Sequence, residues 1–323
     1  MPSLPASEIL PWHRQLWDVL AASPRLGHAL LLAGPPGVGK TRFAAALGQR
    51  LLCAAGTACG RCHSCRLLAA DNHPDLARCG PVAGKTEIPI DDVRELTAFL
   101  TLASHLGHGR VVIIEEAERL SRAAANALLK SLEEPPAGTH LLLISHAPGR
   151  LLPTVRSRCQ RVDFPVPARE DGLAYLQRAG CAHPAAALTL AGGAPLRAAA
   201  LTAADLQIGE GLLKALEEVR CGHLDALAAA EEWHKIDGDK AFANLAGLLA
   251  HAVQDTMTAS SRDTADPQVQ RLHKLVIGLD LRQIFCFWDK ILDDRGLLDA
   301  PLDRRLVWDE VFLTWQRMSS QTT

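Results

Sequence analysis

Residues 34–41 read Gly-Pro-Pro-Gly-Val-Gly-Lys-Thr and match the phosphate-binding pattern G-x-x-x-x-G-K-[ST] at every position. The apolar run His28–Ala33 before this loop is typical of a buried strand, and the Ala- and Leu-rich segment Thr41–Leu52 after it is typical of a helix. A strand, a tight glycine loop and a helix in this order begin a parallel α/β layer. The loop therefore constrains the fold of the first part of the chain more than any other feature.

Each defining position of the loop has a chemical role in binding a nucleoside triphosphate. Backbone amides near Gly34, Gly37 and Gly39 can close around phosphate oxygens at the helix N-terminus, where the helix dipole favours negative charge. Lys40 would supply a positive charge to the outer phosphates, and Thr41 a hydroxyl for Mg²⁺. The pattern predicts a site for ATP and Mg²⁺. The competing interpretation is a loop that keeps its fold but no longer turns over nucleotide.

An acidic pair at the end of a second strand would form the other half of such a site. The apolar run Val111–Ile114 is followed by Glu115 and Glu116. Glu115 stands where an aspartate more often holds the Mg²⁺ shell, and Glu116 stands where a base would activate water. Because Mg²⁺ needs near-ideal octahedral geometry, the extra methylene of Glu115 favours nucleotide binding over efficient hydrolysis. A solvated acidic pair at a strand end is an equally good interpretation.

Four cysteines follow the helix of the phosphate-binding loop directly: Cys53, Cys59, Cys62 and Cys65. C-x-x-C turns let two sulfurs approach one ion, and tetrahedral Zn²⁺ favours four thiolate ligands. We therefore expect a structural zinc module over about residues 53–75, closed by protein ligands and without a position for a catalytic water. A redox C-x-x-C pair is the competing interpretation.

The pattern of strands and helices predicts a parallel sheet with helices on both faces. Further strands are expected at His140–Ser145 and Arg161–Phe164, and a helix at Ala123–Glu134 ends before Pro135-Pro136. Strands that alternate with helices are typical of this architecture. The segment Pro165–Pro167 reads as a linker out of this first domain.

The residues after this linker predict only helices. Short helical patterns broken by glycine extend to about Leu201, and no convincing strand follows Asp205. Amphipathic spacing recurs in four later segments, Gly211–Val219, Lys240–Met257, Val269–Leu292 and Asp303–Met318. We expect an α/β domain over residues 1–165, a small helical domain over 166–205 and an all-α domain over 206–323.

Composition narrows the classes of function. The chain of 323 residues has a net charge of −2 and no run of Lys and Arg. An autonomous DNA-binding protein normally needs a concentrated basic face, so a zinc-dependent nucleic-acid-binding module is disfavoured. No apolar run approaches the ~20 residues that span a bilayer. The start Met1–Pro5 lacks the features of a signal peptide, so we expect a cytoplasmic protein without a membrane partner.

Two further motifs resemble a known family. Residues 126–136 read Asn-Ala-Leu-Leu-Lys-Ser-Leu-Glu-Glu-Pro-Pro, close to the hallmark N-A-L-L-K-x-L-E-E-P-P of bacterial clamp-loader subunits of the AAA+ superfamily. The triplet Ser157-Arg158-Cys159 follows at that family's spacing, and a four-cysteine module after the loop helix is also a family feature. The chain resembles this family over nearly its whole length, most weakly after about Asp205.

The resemblance implies a fold and a set of partners. The fold would be an α/β AAA+ P-loop domain with a parallel sheet and inserted zinc module, followed by a small helical lid and an all-α C-terminal collar. The collar would join a hetero-pentameric ring with gamma/tau and delta subunits. The sliding clamp and primed DNA would be reached through that assembly, which serves a DNA-directed DNA polymerase.

The resemblance also implies roles for three residues outside the loop. Arg158 matches an arginine that acts in trans in the nucleotide site of a neighbouring subunit. Arg197 matches a lid arginine that senses nucleotide in cis. His146 occupies the polar sensor position after the fourth strand, where Thr or Asn is more usual.

The start Leu10–His13 is similar to the stator branch of the family rather than to gamma/tau. In that branch, nucleotide at Lys40 would be structural or slowly turned over, and the chain's own ATPase activity weak or absent. An autonomous AAA+ motor of the gamma/tau kind is the alternative, which the complete loop favours and Glu115 and His146 oppose.

Overall fold

The computed structural model describes residues 9–22, 26–81, 87–258, 267–276, 279–297 and 303–320. The chain divides into two compact units, Met1–Pro167 and Ala168–Thr323. The first unit has the predicted parallel α/β architecture, and the described residues of the second unit are helical. No helix in the described ranges is both long and apolar enough to cross a membrane.

The first unit contains a five-stranded parallel sheet in the order β2-β3-β4-β1-β5. Its strands are β1 Ala29–Ala33, β2 Leu76–Cys79, β3 Arg110–Ile114, β4 Thr139–Ser145 and β5 Gln160–Asp163. Because all strands are parallel, their carboxyl ends lie at one edge of the sheet. The phosphate-binding loop, the acidic pair and His146 all follow at this edge, and β4 separates the loop strand from the acidic strand.

Four of these strands lie where the apolar runs predict them, whereas no apolar run predicts β2. Strands β1 and β3 are buried along their whole length, as expected for strands covered on both faces. Strand β2 lies at the sheet edge and reads Leu-Ala-Arg-Cys, with its first three residues only half-buried. A short, mixed edge strand lacks the continuous apolar signal of the central ones.

Helices cover both faces of the sheet. The helices of this unit are α1 Arg14–Ala22, α2 Lys40–Leu52, α3 His63–Ala69, α4 Ile90–Thr101, α5 Arg122–Glu133 and α6 Pro153–Arg156. Val112 and Ile114 pack in one core cluster with residues of α4 and α5. A methyl group added to Gly48 of α2 would instead contact Val111 and Ile113 on the opposite face. Successive side chains of β3 thus point alternately to the two helical layers.

The second unit is built from nine described helices: α7 Arg169–Arg178, α8 Pro184–Leu190, α9 Pro195–Ala199, α10 Ala203–Arg220, α11 Ala226–Trp233, α12 Gly238–Thr258, α13 Pro267–Val276, α14 Leu281–Leu297 and α15 Arg304–Ser320. The single predicted segment 269–292 is therefore two helices. Asp280 explains why the second of these helices, α14, starts at Leu281. Its carboxylate accepts a hydrogen bond from the Arg282 amide at 3.1 Å and caps α14.

Two apolar clusters lie within this second unit. A small one joins residues of α7, α8 and α9, among them Leu176, Leu188 and Ala198. A larger one contains residues of all six helices from α10 to α15, and within it the ring centroids of Trp308 and Phe242 lie 4.6 Å apart. The buried tryptophans thus serve packing between helices.

Candidate functional site

The phosphate-binding loop is packed so closely that glycine is required at two positions. A Cβ atom on Gly34 would lie 2.1 Å from the carbonyl oxygen of Phe164. Gly39 has φ +108°, and a Cβ atom there would lie 2.4 Å from the Leu10 side chain. Gly37 also has a positive φ. The loop therefore keeps the backbone geometry that a phosphate site needs.

Lys40 is held by the loop's own carbonyl groups. The side chain is buried, and its ammonium donates hydrogen bonds to the carbonyl oxygen of Gly34 and, at 2.6 Å, to that of Pro35. Burial lowers the pKa of Lys40 to about 8, and the nearby carboxylate of Glu118 opposes this shift. Thr41 follows in the first turn of α2. The positive charge is thus already paired with acceptors inside the loop.

Trp12 and His13 cover one side of the loop. The indole nitrogen of Trp12 donates to the carbonyl oxygen of Val38 at 3.0 Å. The buried ring of His13 packs edge-on against Phe164, with 4.9 Å between centroids. Burial and the charge of Lys40 lower the pKa of His13 to about 4, so its ring is neutral at physiological pH.

The acidic pair is engaged by arginines. The guanidinium of Arg78 on β2 lies 2.6 Å from the carboxylate of Glu115. Because β2 and the loop strand β1 lie on opposite sides of β3, this ion pair forms on the side away from the loop. Glu116 adopts a left-handed backbone conformation with φ 48°, and its carboxylate lies 3.3 Å from Arg119. Both acids therefore have positive partners in the protein.

A third acid, Glu118, places its charge close enough to Lys40 to act on it. Its Oε1 accepts a hydrogen bond from the backbone amide of His146 at 3.0 Å. Its Oε2 and the Nδ1 of His146 are buried without a hydrogen-bond partner among the described residues. Burial and the charge of Lys40 lower the pKa of His146, while Glu118 and Glu116 oppose this shift. Glu118 was not predicted as a site residue. The one feature of the sequence that indicates it is its position in the turn directly after the acidic pair.

The four predicted zinc ligands form one cluster, with all their sulfur atoms within 4.8 Å of one another: Cys53, Cys59, Cys62 and Cys65. The sulfurs of Cys53 and Cys62 lie 4.0 Å apart. Four thiolates at the usual Zn–S distance would lie roughly 3.8 Å apart in a tetrahedron. The cluster therefore fits a tetrahedral metal ion after a small contraction.

Backbone amides point at these sulfurs. The amide of Cys59 donates to Cys53 Sγ at 3.4 Å, and the amide of Cys65 donates to Cys62 Sγ at 3.4 Å. Burial opposes ionisation of Cys53, but amides of residues 55, 57 and 59 outweigh it and lower its pKa to about 5. Burial and the Cys62 sulfur raise the pKa of Cys65 to about 12. A bound cation would be needed to ionise all four together.

A buried hydrogen-bond relay ties the cysteine module to the sheet. The Asp75 amide donates to His73 Nδ1 at 3.0 Å, so the other ring nitrogen carries the proton and donates to Ser64 Oγ at 2.8 Å. The Ser64 hydroxyl in turn donates to the carbonyl oxygen of Leu52 at 2.5 Å. The module is thus anchored both to the end of α2 and to the entry of β2.

Arg158 lies on the surface with its guanidinium restrained. Nη1 donates to the carbonyl oxygen of Thr154 at 3.0 Å, and Nη2 lies 2.5 Å from the carboxylate of Glu133. The side chain is 36% exposed. This contact joins the Ser-Arg-Cys triplet to the Leu-Glu-Glu-Pro-Pro end of α5.

A family model described as DNA polymerase III, delta subunit, matches residues 12–168. The delta prime subunit of DNA polymerase III from Pseudomonas aeruginosa is 42% identical over 242 residues, which are 71% of this chain and 73% of that protein. The chain belongs to the delta prime family of DNA polymerase III subunits. The resemblance to clamp-loader subunits is thereby confirmed.

Two other relatives show how much of each protein the sequence similarity covers. The delta prime subunit of Escherichia coli is 40% identical over 216 residues, covering 64% of this chain and 65% of that protein. The tau subunit of Salmonella typhimurium is 40% identical over 138 residues, covering 42% of this chain but only 21% of that protein. The match to delta prime proteins is therefore the more extensive of the two.

Arg197 lies in the second unit, on α9. Its guanidinium donates a hydrogen bond to the carbonyl oxygen of Ala243 on α12. The arginine proposed to sense nucleotide in cis is thus engaged within its own helical unit.

Proposed function

We propose that the protein is the delta prime stator of a clamp loader, which assembles with gamma/tau and delta subunits in a five-membered ring. Membership of the delta prime family makes the chain a clamp-loader subunit of DNA polymerase III. In the ring it would help to place the sliding clamp on primed DNA. The helical residues 166–205 would act as the lid, and residues 206–323 as the collar that joins the ring.

The observation that carries the proposal is the exposure of Arg158 at a fixed surface position. A planar, permanently charged guanidinium suits the developing charge on a transferring γ-phosphate. In the ring, Arg158 would enter the ATP site of a neighbouring motor subunit, where such an arginine is worth roughly 10³–10⁵ in rate. Its chemistry would thus be performed in trans.

The charged contacts at the chain's own nucleotide site also favour action of Arg158 in trans over hydrolysis at that site. Lys40 is paired with loop carbonyls, and Glu115 is paired with Arg78. A bound Mg²⁺–ATP would have to displace both partners, since it needs the ammonium for phosphate and a free carboxylate for the metal shell. We infer that ATP at this site is structural or slowly turned over. Thr41, His146 and Arg197 would be its remaining contacts, and Glu116 would be the candidate base.

The cysteine cluster would hold a structural Zn²⁺ ion. The four sulfurs supply a complete tetrahedral set, and the amides that point at Cys53 and Cys62 would stabilise the thiolates. Such an ion supplies no catalytic water, because all positions are filled by protein. Its contribution would be to the folding of a short segment that has little core of its own.

A second candidate function is an autonomous ATPase motor of the gamma/tau kind, favoured by the complete loop Gly34–Thr41. The two candidates differ in the activity of the isolated chain. A stator alone should hydrolyse ATP negligibly with or without primed DNA, whereas a motor should show turnover that Lys40→Ala abolishes.

Reconstitution tests the proposal directly. The protein is mixed with cognate gamma/tau and delta subunits, and the product is analysed by size-exclusion chromatography with light scattering. We expect a five-subunit complex that loads the clamp on primed DNA only when this protein is present. A complete, active loader formed without it would refute the stator assignment.

A further inference from the structure

Arg158 is restrained by an acid that occupies an unfavourable place in its own helix. Glu133 is the last residue of α5, where the helix dipole disfavours negative charge. Its carboxylate nevertheless lies 2.5 Å from Nη2 of Arg158, 25 residues further along the chain. The carboxylate therefore does not stabilise its helix end, whereas it does restrain the arginine.

The two acceptors of Arg158 come from different elements. Thr154 offers its carbonyl oxygen from α6, and Glu133 reaches the guanidinium from α5. An arginine side chain free in solvent samples many rotamers, and two anchors reduce that freedom. A guanidinium has five N–H donors, so these two contacts leave three for an incoming phosphate. The anchors can orient the group without blocking it.

We propose that Glu133 is the positioning residue for Arg158, holding its guanidinium in the orientation that a neighbouring subunit's ATP requires. This inference rests on the proposed function of Arg158 in trans. A misplaced guanidinium would still reach the ATP site but would stabilise the transition state less, since rate depends steeply on orientation. Loss of Glu133 should therefore lower kcat and leave the KM for ATP unchanged.

The test uses the reconstituted clamp loader with wild-type partners and measures DNA-stimulated ATP hydrolysis against ATP concentration. We expect Glu133→Ala to lower kcat roughly tenfold, with KM unchanged within about twofold. Glu133→Gln keeps an oxygen that can accept the same hydrogen bond and should stay within about twofold of wild type. Rescue by glutamine distinguishes positioning of Arg158 from a general effect of charge.

Glu134 provides a matched control. It is the next residue, it is exposed, and within the described ranges it forms no ion pair. Glu134→Ala removes the same charge from the same helix end, so it should leave kcat unchanged. The thermal midpoint of each isolated variant should match wild type, because a carboxylate at a helix C-terminus adds no stability.

A double variant separates this inference from the role of Arg158. If Glu133 acts through Arg158, the pair Arg158→Ala with Glu133→Ala should be no slower than Arg158→Ala alone. A normal kcat for Glu133→Ala beside a severe loss for Arg158→Ala would overturn the positioning role and leave the proposed function standing. A normal kcat for Arg158→Ala would overturn both.

Discussion

The carboxylate of Glu118 accepts a hydrogen bond from the backbone amide of His146 at 3.0 Å, across the end of β4. This contact brings a negative charge close enough to Lys40 to oppose the lowering of its pKa. A phosphate-binding loop normally presents an excess of positive charge to its ligand. Here an acid of the same chain partly neutralises that charge.

We expect Glu118→Gln to tighten ATP binding to the isolated protein about three- to tenfold, because it removes a charge that repels phosphate. The amide oxygen can still accept from the His146 backbone, so the local fold should persist. Isothermal titration calorimetry with ATP and Mg²⁺ measures the effect. Glu116→Gln is the control, since Glu116 is paired with Arg119. Equal affinities for wild type and Glu118→Gln would show that Glu118 does not limit binding.

Cys59→Ser should release the metal. We expect wild-type protein to contain about one Zn²⁺ per chain by elemental analysis and the variant to contain almost none, since three thiolates bind zinc far more weakly than four. The variant should also unfold at lower temperature. Cys221→Ser, which changes an exposed cysteine outside the cluster, is the control. Full zinc content in Cys59→Ser would contradict the four-thiolate assignment.

Asp75 should make stability depend on acid pH. Its buried carboxylate accepts hydrogen bonds from the amides of His105 and Leu106 and faces Arg110. Burial alone would raise the pKa of Asp75, but these hydrogen bonds, one from Ser104 and the charge of Arg110 outweigh it and lower the pKa. The resulting stability is present above the unfolded pKa of about 3.9 and is lost as pH falls through the lower, folded value.

Asp75→Asn should therefore destabilise the first unit by about 3 kcal/mol near neutral pH, because Arg110 loses its buried partner. The difference from wild type should shrink below about pH 4. Urea unfolding at several pH values measures it. Asp91→Asn is the control, as its ion pair with Arg94 is exposed. A constant difference at all pH values would contradict the assigned role.

Two helical glycines of the second unit should respond oppositely to alanine. A Cβ atom on Gly247 would lie 1.9 Å from the carbonyl oxygen of Leu190, whereas one on Gly211 would lie 3.4 Å from the Trp233 ring. Gly247→Ala should therefore destabilise the unit by about 2 kcal/mol or more. Gly211→Ala should stabilise it by up to about 1 kcal/mol through helix propensity. Thermal unfolding compares the two, and equal shifts would contradict the packing of α8 on α12.

The sequence predicts the features that depend on local pattern. The apolar runs ending at Ala33, Ile114 and Ser145 identify central strands, because buried parallel strands are continuously apolar. The cysteine spacing predicts a cluster because its members are close along the chain. Strand β2 was not predicted because an edge strand is only partly buried and does not need a continuous apolar run. The division of the predicted segment into a helix ending at Val276 and a helix beginning at Leu281 was not predicted, because the amphipathic spacing of the sequence continues from one to the other.

Contacts between distant segments could not be predicted in this way. Arg78 meets Glu115 only because β2 pairs with β3, and Glu133 meets Arg158 only because α5 and α6 pack together. Such partners change what the side chains of a motif are free to bind without changing the residues of the motif. The loop is complete as a pattern, yet Lys40, Glu115 and Glu116 are already paired within the protein.

We propose that the protein acts through Arg158 on a neighbour's ATP rather than through its own loop. DNA-stimulated ATP hydrolysis by the reconstituted clamp loader tests it, with Arg158→Ala, Lys40→Ala and, as a control on the same exposed turn, Arg156→Ala. We predict that Arg158→Ala lowers the rate by at least about tenfold, while Lys40→Ala and Arg156→Ala stay within about twofold of wild type. A severe loss in Lys40→Ala with a normal rate in Arg158→Ala would contradict the account.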